Sequence, residues 1–516
     1  MVFSSHYFLF YFLPLFLLVY YVLVYSRLNI SWVNLWITLA SYFFYGWFEP
    51  WFVVLMWIST IVDYACGRAI ATPEKVDPRR MSSQDAKDEF GAVNIFYPFF
   101  LGVGWFYNLM VKNDERRAKL IKNTALVVSM IVNLGLLGFF KYYMFVMNGV
   151  NKLAMIFGAD SNLFHIMSIT LPIGISFYTF QTMSYTIDVW RGDAPPVKDM
   201  RTFSCFVALF PQLIAGPIIR YNTVAEQLAT RRHTLHRFAS GLAIFTAGFA
   251  KKILLANPAG MMADMAFQSD APGVLGSWLG ALGYHFQIYF DFCGYSDMAV
   301  GLGRMVGFEF IKNFNAPYRA LSISDFWNRW HISLSTWIRD YLYIGLGGNR
   351  KGLRRTYYNL AIAMFLCGVW HGAKMTFIIW GVLHGALLIW ERTMGRKPIY
   401  DKLPLIPKIV ITNIIIIFTW VAFRASSMDQ AFHYWGSMLG FVKAAPAAAL
   451  LQTEMLRANH MVELLLCGFF VWQPIQAHEW TSRLAPAKYV ALAALLIFAA
   501  ISMFTQSFNP FLYFQF

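Results

Sequence analysis

An all-α, polytopic integral membrane protein is the fold class the sequence predicts, on three observations. Of 516 residues, 58% are hydrophobic and only 13% are charged. Soluble domains carry about 25% charged residues, so this chain has too few to cover a water-facing surface of its size. The mean hydropathy is +0.49. The apolar residues also fall in runs close to the roughly 20 that the hydrocarbon core of a bilayer requires.

Taken in order, the first run, 6–25 (HYFLFYFLPLFLLVYYVLVY), lacks a basic leader and a small-residue cleavage site, so it reads as a retained first span. Further candidate spans lie near 31–48, 51–70, 92–112, 121–147, 166–190, 200–219, 237–257, 275–308, 356–372, 375–391, 406–424, 460–475 and 487–505. Several are short or polar, which predicts about 11–13 crossings, with re-entrant or short helices among them. Extramembrane loops are expected near 71–91, 191–201, 220–237, 346–356 and 425–459, the last with room for an interfacial helix. Without internal repeats, a single membrane domain over 1–516 is the simplest organisation.

The formal net charge is +15, with basic residues gathered in 68–87, 112–122, 220–237, 350–355 and 392–402. A nucleic-acid surface is one reading of such clusters. The positive-inside rule is the simpler one, since Lys and Arg mark cytoplasmic loops. The basic loop after the third span then places the N-terminus outside the cytoplasm. The five cysteines (Cys66, Cys205, Cys293, Cys367, Cys467) are scattered and show no metal-ligand or disulfide spacing.

Polar residues inside apolar runs are costly in lipid, so each faces a partner, a cavity or a site. Three clusters stand out. In FQIYFDFCGYSD, Asp291 and Asp297 are six apart, about 240° of helical rotation, and do not share a face; satisfaction by buried Arg, Tyr or backbone groups is the expected reading. In SDFWNRWHISLSTWIRD, Asp325 and Arg329 are spaced to pair, and His331 and Ser335 to share a face. That segment, with Trp327, Asn328 and Trp330, suits the lining of a cavity or a re-entrant stretch, ended by Gly345, Gly347 and Gly348. The third cluster is GVWHG, with Trp370 and His371, followed by GVLHG with His384. Thirteen residues give about 220°, so the two histidines cannot face one site on an unbroken helix. Interhelical hydrogen bonding is the common role of a lone membrane histidine, which leaves His331 and His371 as site candidates.

Familiar catalytic signatures are missing: no Gly-x-Ser-x-Gly, no phosphate-binding Gly-Lys-Ser/Thr loop, no His-Glu-x-x-His. What remains is histidine as general base with no protein nucleophile, which suits direct transfer of an activated acyl group to a hydroxyl.

At these residues the chain resembles the membrane-bound O-acyltransferase family, in the bacterial branch that serves alginate O-acetylation. The resemblance lies in LPIGISFYTFQTMSYTIDVWRG, LFPQLIAGPIIRY, FQIYFDFCGYSDMAVGLGRMVGF, FWNRWHISLSTWIRDYLY, GVWHG and the tail FNPFLYFQF. It implies a central funnel where a cytoplasmic thioester meets a hydroxyl acceptor from the other side. It also implies that His371 is the essential histidine and His331 its companion, with Asp325, Trp327, Asn328, Arg329, Trp330, Ser335 and Trp370 supporting them. Acetyl-CoA is then the donor substrate, with no permanently bound cofactor and no metal. The acceptor is an extracytoplasmic polysaccharide, reached through periplasmic partner proteins from the bacterial inner membrane. Arg350, Lys351, Arg354 and Arg355 would suit the coenzyme A phosphates, although positive-inside loop bias is the favoured account of them. D-alanyl transfer from a carrier-protein thioester, peptidoglycan or cellulose O-acetylation, and a proton-coupled transporter are the alternatives. Two departures from the branch pattern are Gly345 in YIGLGG, where proline is usual, and a longer, more charged 81–122 region.

Overall fold

Where the chain must leave water, it closes its backbone hydrogen bonds within helices, and the punctuation between them is chemical. The computed structural model describes residues 1–73, 97–111, 113–159, 162–395, 397–482, 485–506 and 511–512, and among these the regular structure is helical. The loop expected at 71–91 lies beyond residue 73 outside the described residues, as do 92–96 and most of the tail FNPFLYFQF.

The described chain forms two compact units. The first holds α1 (Leu13–Tyr25), α2 (Ile30–Tyr45), α3 (Phe52–Ala71), α4 (Tyr97–Met110), α5 (Asp114–Ile156), α6 (Ile175–Arg191), α7 (Met200–Ala208), α8 (Phe210–Leu213) and α9 (Tyr221–Ala229). α5 starts where the Asn113 side chain accepts the Arg116 N–H, with Asp114 and Glu115 in its first turn to complement the helix dipole. α3, α5 and α6 meet around buried Asp63, whose carboxylate accepts from Ser129 Oγ at 2.5 Å and Asn133 Nδ2 at 2.7 Å. These donors satisfy a carboxylate that lipid would otherwise penalise.

The second unit holds α10 (Leu235–Ala250), α11 (Asn257–Phe267), α12 (Gly273–Met305), α13 (Ile323–Arg329), α14 (Ile332–Trp337), α15 (Gly352–His371), α16 (Met375–Thr393), α17 (Leu405–Arg424), α18 (Met428–Met438), α19 (Ala448–Met455), α20 (Ala458–Val471), α21 (Ala477–Trp480) and α22 (Pro486–Thr505). Glycines let backbones approach at two interfaces. A Cβ on Gly248 of α10 would lie 2.5 Å from the Gly294 carbonyl oxygen of α12. Between α15 and α16, a Cβ on Gly381 would lie 2.5 Å from the Met364 carbonyl oxygen, and one on Gly368 would strike that of Phe377.

Among the described residues, six helical stretches are long and apolar enough to cross a membrane: Phe8–Tyr25, Phe52–Ala71, Asp114–Ile156, Leu235–Phe267, Leu405–Arg424 and Pro486–Thr505. The other expected spans fall on shorter or more polar helices. The 166–190 run becomes helical only at Ile175, because Gly174 in the left-handed region (φ 77) precedes it. The 200–219 run breaks into α7 and α8, since Leu209 adopts an extended-type ψ of 102 and Pro211 opens a new helix. The expected loop 220–237 contains α9, and 425–459 contains two helices, α18 and α19, rather than one.

Candidate active site

α13 carries the first group of predicted site residues, and two capping interactions fix it. Ser322 Oγ accepts the Asp325 N–H at 3.0 Å, and Asp325 Oδ2 reaches back to the Leu321 N–H at 3.1 Å. From α16, the Glu391 carboxylate accepts the Ile323 and Ser324 N–H groups at 2.7 and 2.8 Å. The expected Asp325–Arg329 pair forms at 2.7 Å and braces the helix. Arg329 also donates to the Asn315 carbonyl at 3.3 Å.

The predicted shared face of His331 and Ser335 does not form. His331 is the N-cap of α14 and its carbonyl accepts the Ser335 N–H at 2.9 Å, but its left-handed dihedrals (φ 43) turn its side chain off the helical face. Ser335 Oγ bonds the Trp330 carbonyl instead, at 3.2 Å. His331 Nδ1 lies 3.1 Å from Asn313 Oδ1, an oxygen that also accepts the Ser333 N–H at 3.1 Å. Since that oxygen accepts, Nδ1 donates, and in the neutral ring Nε2 carries the lone pair. The His331 ring packs edge-on to Phe292 at 4.6 Å and to Trp370 at 6.2 Å.

His371 is the last residue of α15 and is buried. Its ring is walled edge-on by Trp370 (4.9 Å), Trp380 (5.2 Å) and Phe423 (5.0 Å). Trp370 therefore touches both candidate histidines. His371 lines a small cavity of about 20 Å³ with Asp291, Phe292, Trp330, Trp380 and Trp420, which is room for roughly one water molecule. Residues 372–374 break the helix between His371 and His384, so the geometry of an unbroken helix does not apply: both rings flank Trp380, at 5.2 and 4.9 Å.

A second cavity, of about 580 Å³, opens beside α13 and α15. Trp327, Asn328 and Ser335 line it, with Arg339, Arg350 and Arg392. Of the four basic residues expected at a donor mouth, Arg350 is the one that lines it; Lys351, Arg354 and Arg355 do not. From α15 the wall is made by Leu360, Ala363, Met364 and Cys367. Those positions recur at three to four residues, and the next step of the same stripe is His371.

Sequence reasoning missed several groups that the fold brings here. Asp291 and Asp297 pair with the adjacent lysines Lys252 and Lys251 at 2.6 and 2.7 Å; the expected backbone partner is present at Asp291, which accepts the Leu512 N–H, and the lysines are the partners not foreseen. Asp291 also lines the His371 cavity. A carboxylate amid an aromatic run was signal enough for a partner, but its proximity to His371 depends on tertiary packing. Asn313 and Glu391 carried no spacing signal. The five cysteines are buried free thiols.

Comparison with known proteins meets this geometry. The profile of the membrane-bound O-acyltransferase family matches residues 193–428. The chain is 39% identical to the "probable alginate O-acetylase AlgI" of Azotobacter vinelandii, over 100% of each chain. It is 32% identical to the "peptidoglycan O-acetyltransferase" of Helicobacter pylori, over 85% of this chain and 80% of that one. It is also 30% identical to the "teichoic acid D-alanyltransferase" of Bacillus subtilis, over 49% of this chain and 67% of that one. With full-length identity at that level and the two histidines drawn around one tryptophan, the chain belongs to the membrane-bound O-acyltransferase family and is a multi-pass membrane O-acyltransferase.

Proposed function

We propose that this protein moves an acetyl group from acetyl-CoA, on the cytoplasmic side of a bacterial inner membrane, to hydroxyls of an extracytoplasmic polysaccharide of the alginate type. Loop-charge alternation supports an N-terminus outside the cytoplasm, and delivery in this reading runs through periplasmic partner proteins. One observation carries the reading: the stripe Leu360, Ala363, Met364, Cys367 leads along α15 from the 580 Å³ cavity to His371. Full-length similarity to a protein named as an alginate O-acetylase supports the acetyl group and the acceptor class.

In this mechanism His371 accepts the proton of the acceptor hydroxyl as its oxygen attacks the thioester carbonyl carbon. The C–O bond forms, the C–S bond breaks, and the departing thiolate takes up the proton. Donation from His331 Nδ1 to Asn313 leaves Nε2 as an acceptor, so His331 suits a role in proton transfer better than one in holding the carbonyl oxygen. Arg350 and Arg392 line the large cavity and would meet the donor's phosphates there, and apolar walls around His371 would keep water from the acyl group.

His371→Ala tests the reading. Acetate released by mild base from purified envelope polysaccharide should fall by about 10²-fold or more, with the variant still inserted. Unchanged acetylation would sink the assignment of His371. Detergent-solubilised protein should turn over labelled acetyl-CoA; turnover of an acyl-carrier thioester alone would replace the donor.

A further inference from the structure

Spacing alone gives His384 no part in the site, yet both of its ring nitrogens have hydrogen-bond partners. Trp327 Nε1–H donates to His384 Nδ1 at 3.3 Å. On the other side of the ring, Nε2 lies 3.1 Å from Thr419 Oγ1. The Thr419 hydroxyl spends its proton on the Ile416 carbonyl at 2.8 Å, so its oxygen is the acceptor and Nε2 the donor. One tautomer satisfies both contacts, with the proton on Nε2 and none on Nδ1. The ring is fully buried.

What His384 holds is a partition. Trp327 lines the large cavity and Trp380 lines the small cavity beside His371. The two indoles touch, with centroids 5.7 Å apart, and Trp380 is edge-on to His371 at 5.2 Å. His384 packs against both, at 5.3 Å from Trp327 and 4.9 Å from Trp380. Two rings thus stand in series between the cavity wall and the His371 imidazole, and one imidazole anchors them.

We propose that His384 is a positioning residue, which anchors Trp327 through Nδ1 and Thr419 through Nε2 and so sets the indole partition between the donor cavity and His371. The proposal rests on the donor-cavity reading above. It implies that the acceptor atom at Nδ1 matters separately from the donor at Nε2. Asparagine places its oxygen near the former, whereas glutamine reaches only the latter.

Two readouts test it in the full-length protein in detergent. The first needs no substrate: the 5-fluorotryptophan ¹⁹F resonance of residue 327, assigned by its loss in Trp327→Phe. It should move further in His384→Gln, which removes the acceptor facing Trp327, than in His384→Asn, which keeps it, the loss of the imidazole ring being common to both. The second is kinetic: His384→Gln should raise the KM for acetyl-CoA about fivefold, as expected for losing one buried hydrogen bond, with the acceptor KM unchanged and His384→Asn restoring the donor KM. His384→Leu, which has nearly the shape of asparagine and no acceptor facing Trp327, stands in for His384→Gln if the latter does not insert. A resonance that moves no further in His384→Gln than in His384→Asn, or equal losses with Asn and Gln, overturns the positioning role. A resonance that moves as expected in a protein that never turns over acetyl-CoA instead overturns the donor reading and leaves the positioning role standing.

Discussion

The carboxylate of Asp291 stands 2.6 Å from the ammonium of Lys252, with both side chains almost fully buried. Its second oxygen accepts the Leu512 N–H at 2.8 Å. Removing one member of such a pair leaves an uncompensated charge in a medium that cannot solvate it, at a cost of about 3–5 kcal/mol. Lys252→Met should therefore lower the thermal midpoint of the detergent-solubilised protein sharply. Adding Asp291→Leu should recover part of the loss, although Leu512 stays without its acceptor. A double variant no more stable than the single one would show that the charge is not the issue.

Asn313 offers a second test, at the other histidine. Its side-chain oxygen accepts from His331 Nδ1, Ser333 N and Ser333 Oγ, at 3.1, 3.1 and 2.9 Å. Asn313→Leu keeps the approximate volume and removes the acceptor. The ring then loses the contact that holds the proton on Nδ1, and acetyl transfer should drop by about tenfold or more, an effect of the size seen when the partners that orient a histidine are removed. Transfer at the parental rate, with the variant correctly inserted, would detach His331 from the mechanism proposed.

The arginines of the large cavity make the third. Arg350→Gln and Arg392→Gln should each raise the KM for acetyl-CoA, by about 3–10-fold, because a charge-assisted contact to phosphate is lost. The same variants should treat S-acetyl-N-acetylcysteamine, which has the thioester but no phosphate, as the parent does. An equal penalty on both donors would mean that the arginines shape the cavity and do not read the phosphates.

How far the sequence could be read follows from how local each signal was. The Asp325–Arg329 brace was legible because i,i+4 spacing needs only one helix. The same rule misplaced the His331 side chain relative to Ser335 because His331 caps α14 in a left-handed conformation, and nothing in WHISLS announces a left-handed residue there. The membrane class was carried by composition, and His371 by a motif. Asn313, Asp291 and Arg392 reach their positions only through packing among α12, α13, α15 and α16. Lys251 and Lys252 escaped notice for a related reason. They lie just past the end of α10, in a wide turn within an apolar stretch, where their charges look like a boundary and prove to be partners.

The glycine-to-glycine seam between α15 and α16 bears on how such a catalyst can be altered. Gly368 and Gly381 bring two backbones together with no side chain between them, three residues before His371 on one strand of the seam and three before His384 on the other. That hairpin has no slack to spend: any larger residue there pries both imidazoles out of register at once. Retuning the enzyme toward a bulkier acyl group or a different glycan therefore belongs to Leu360, Ala363 and Met364 upstream, whose side chains can be trimmed or enlarged while the hairpin stays as it is.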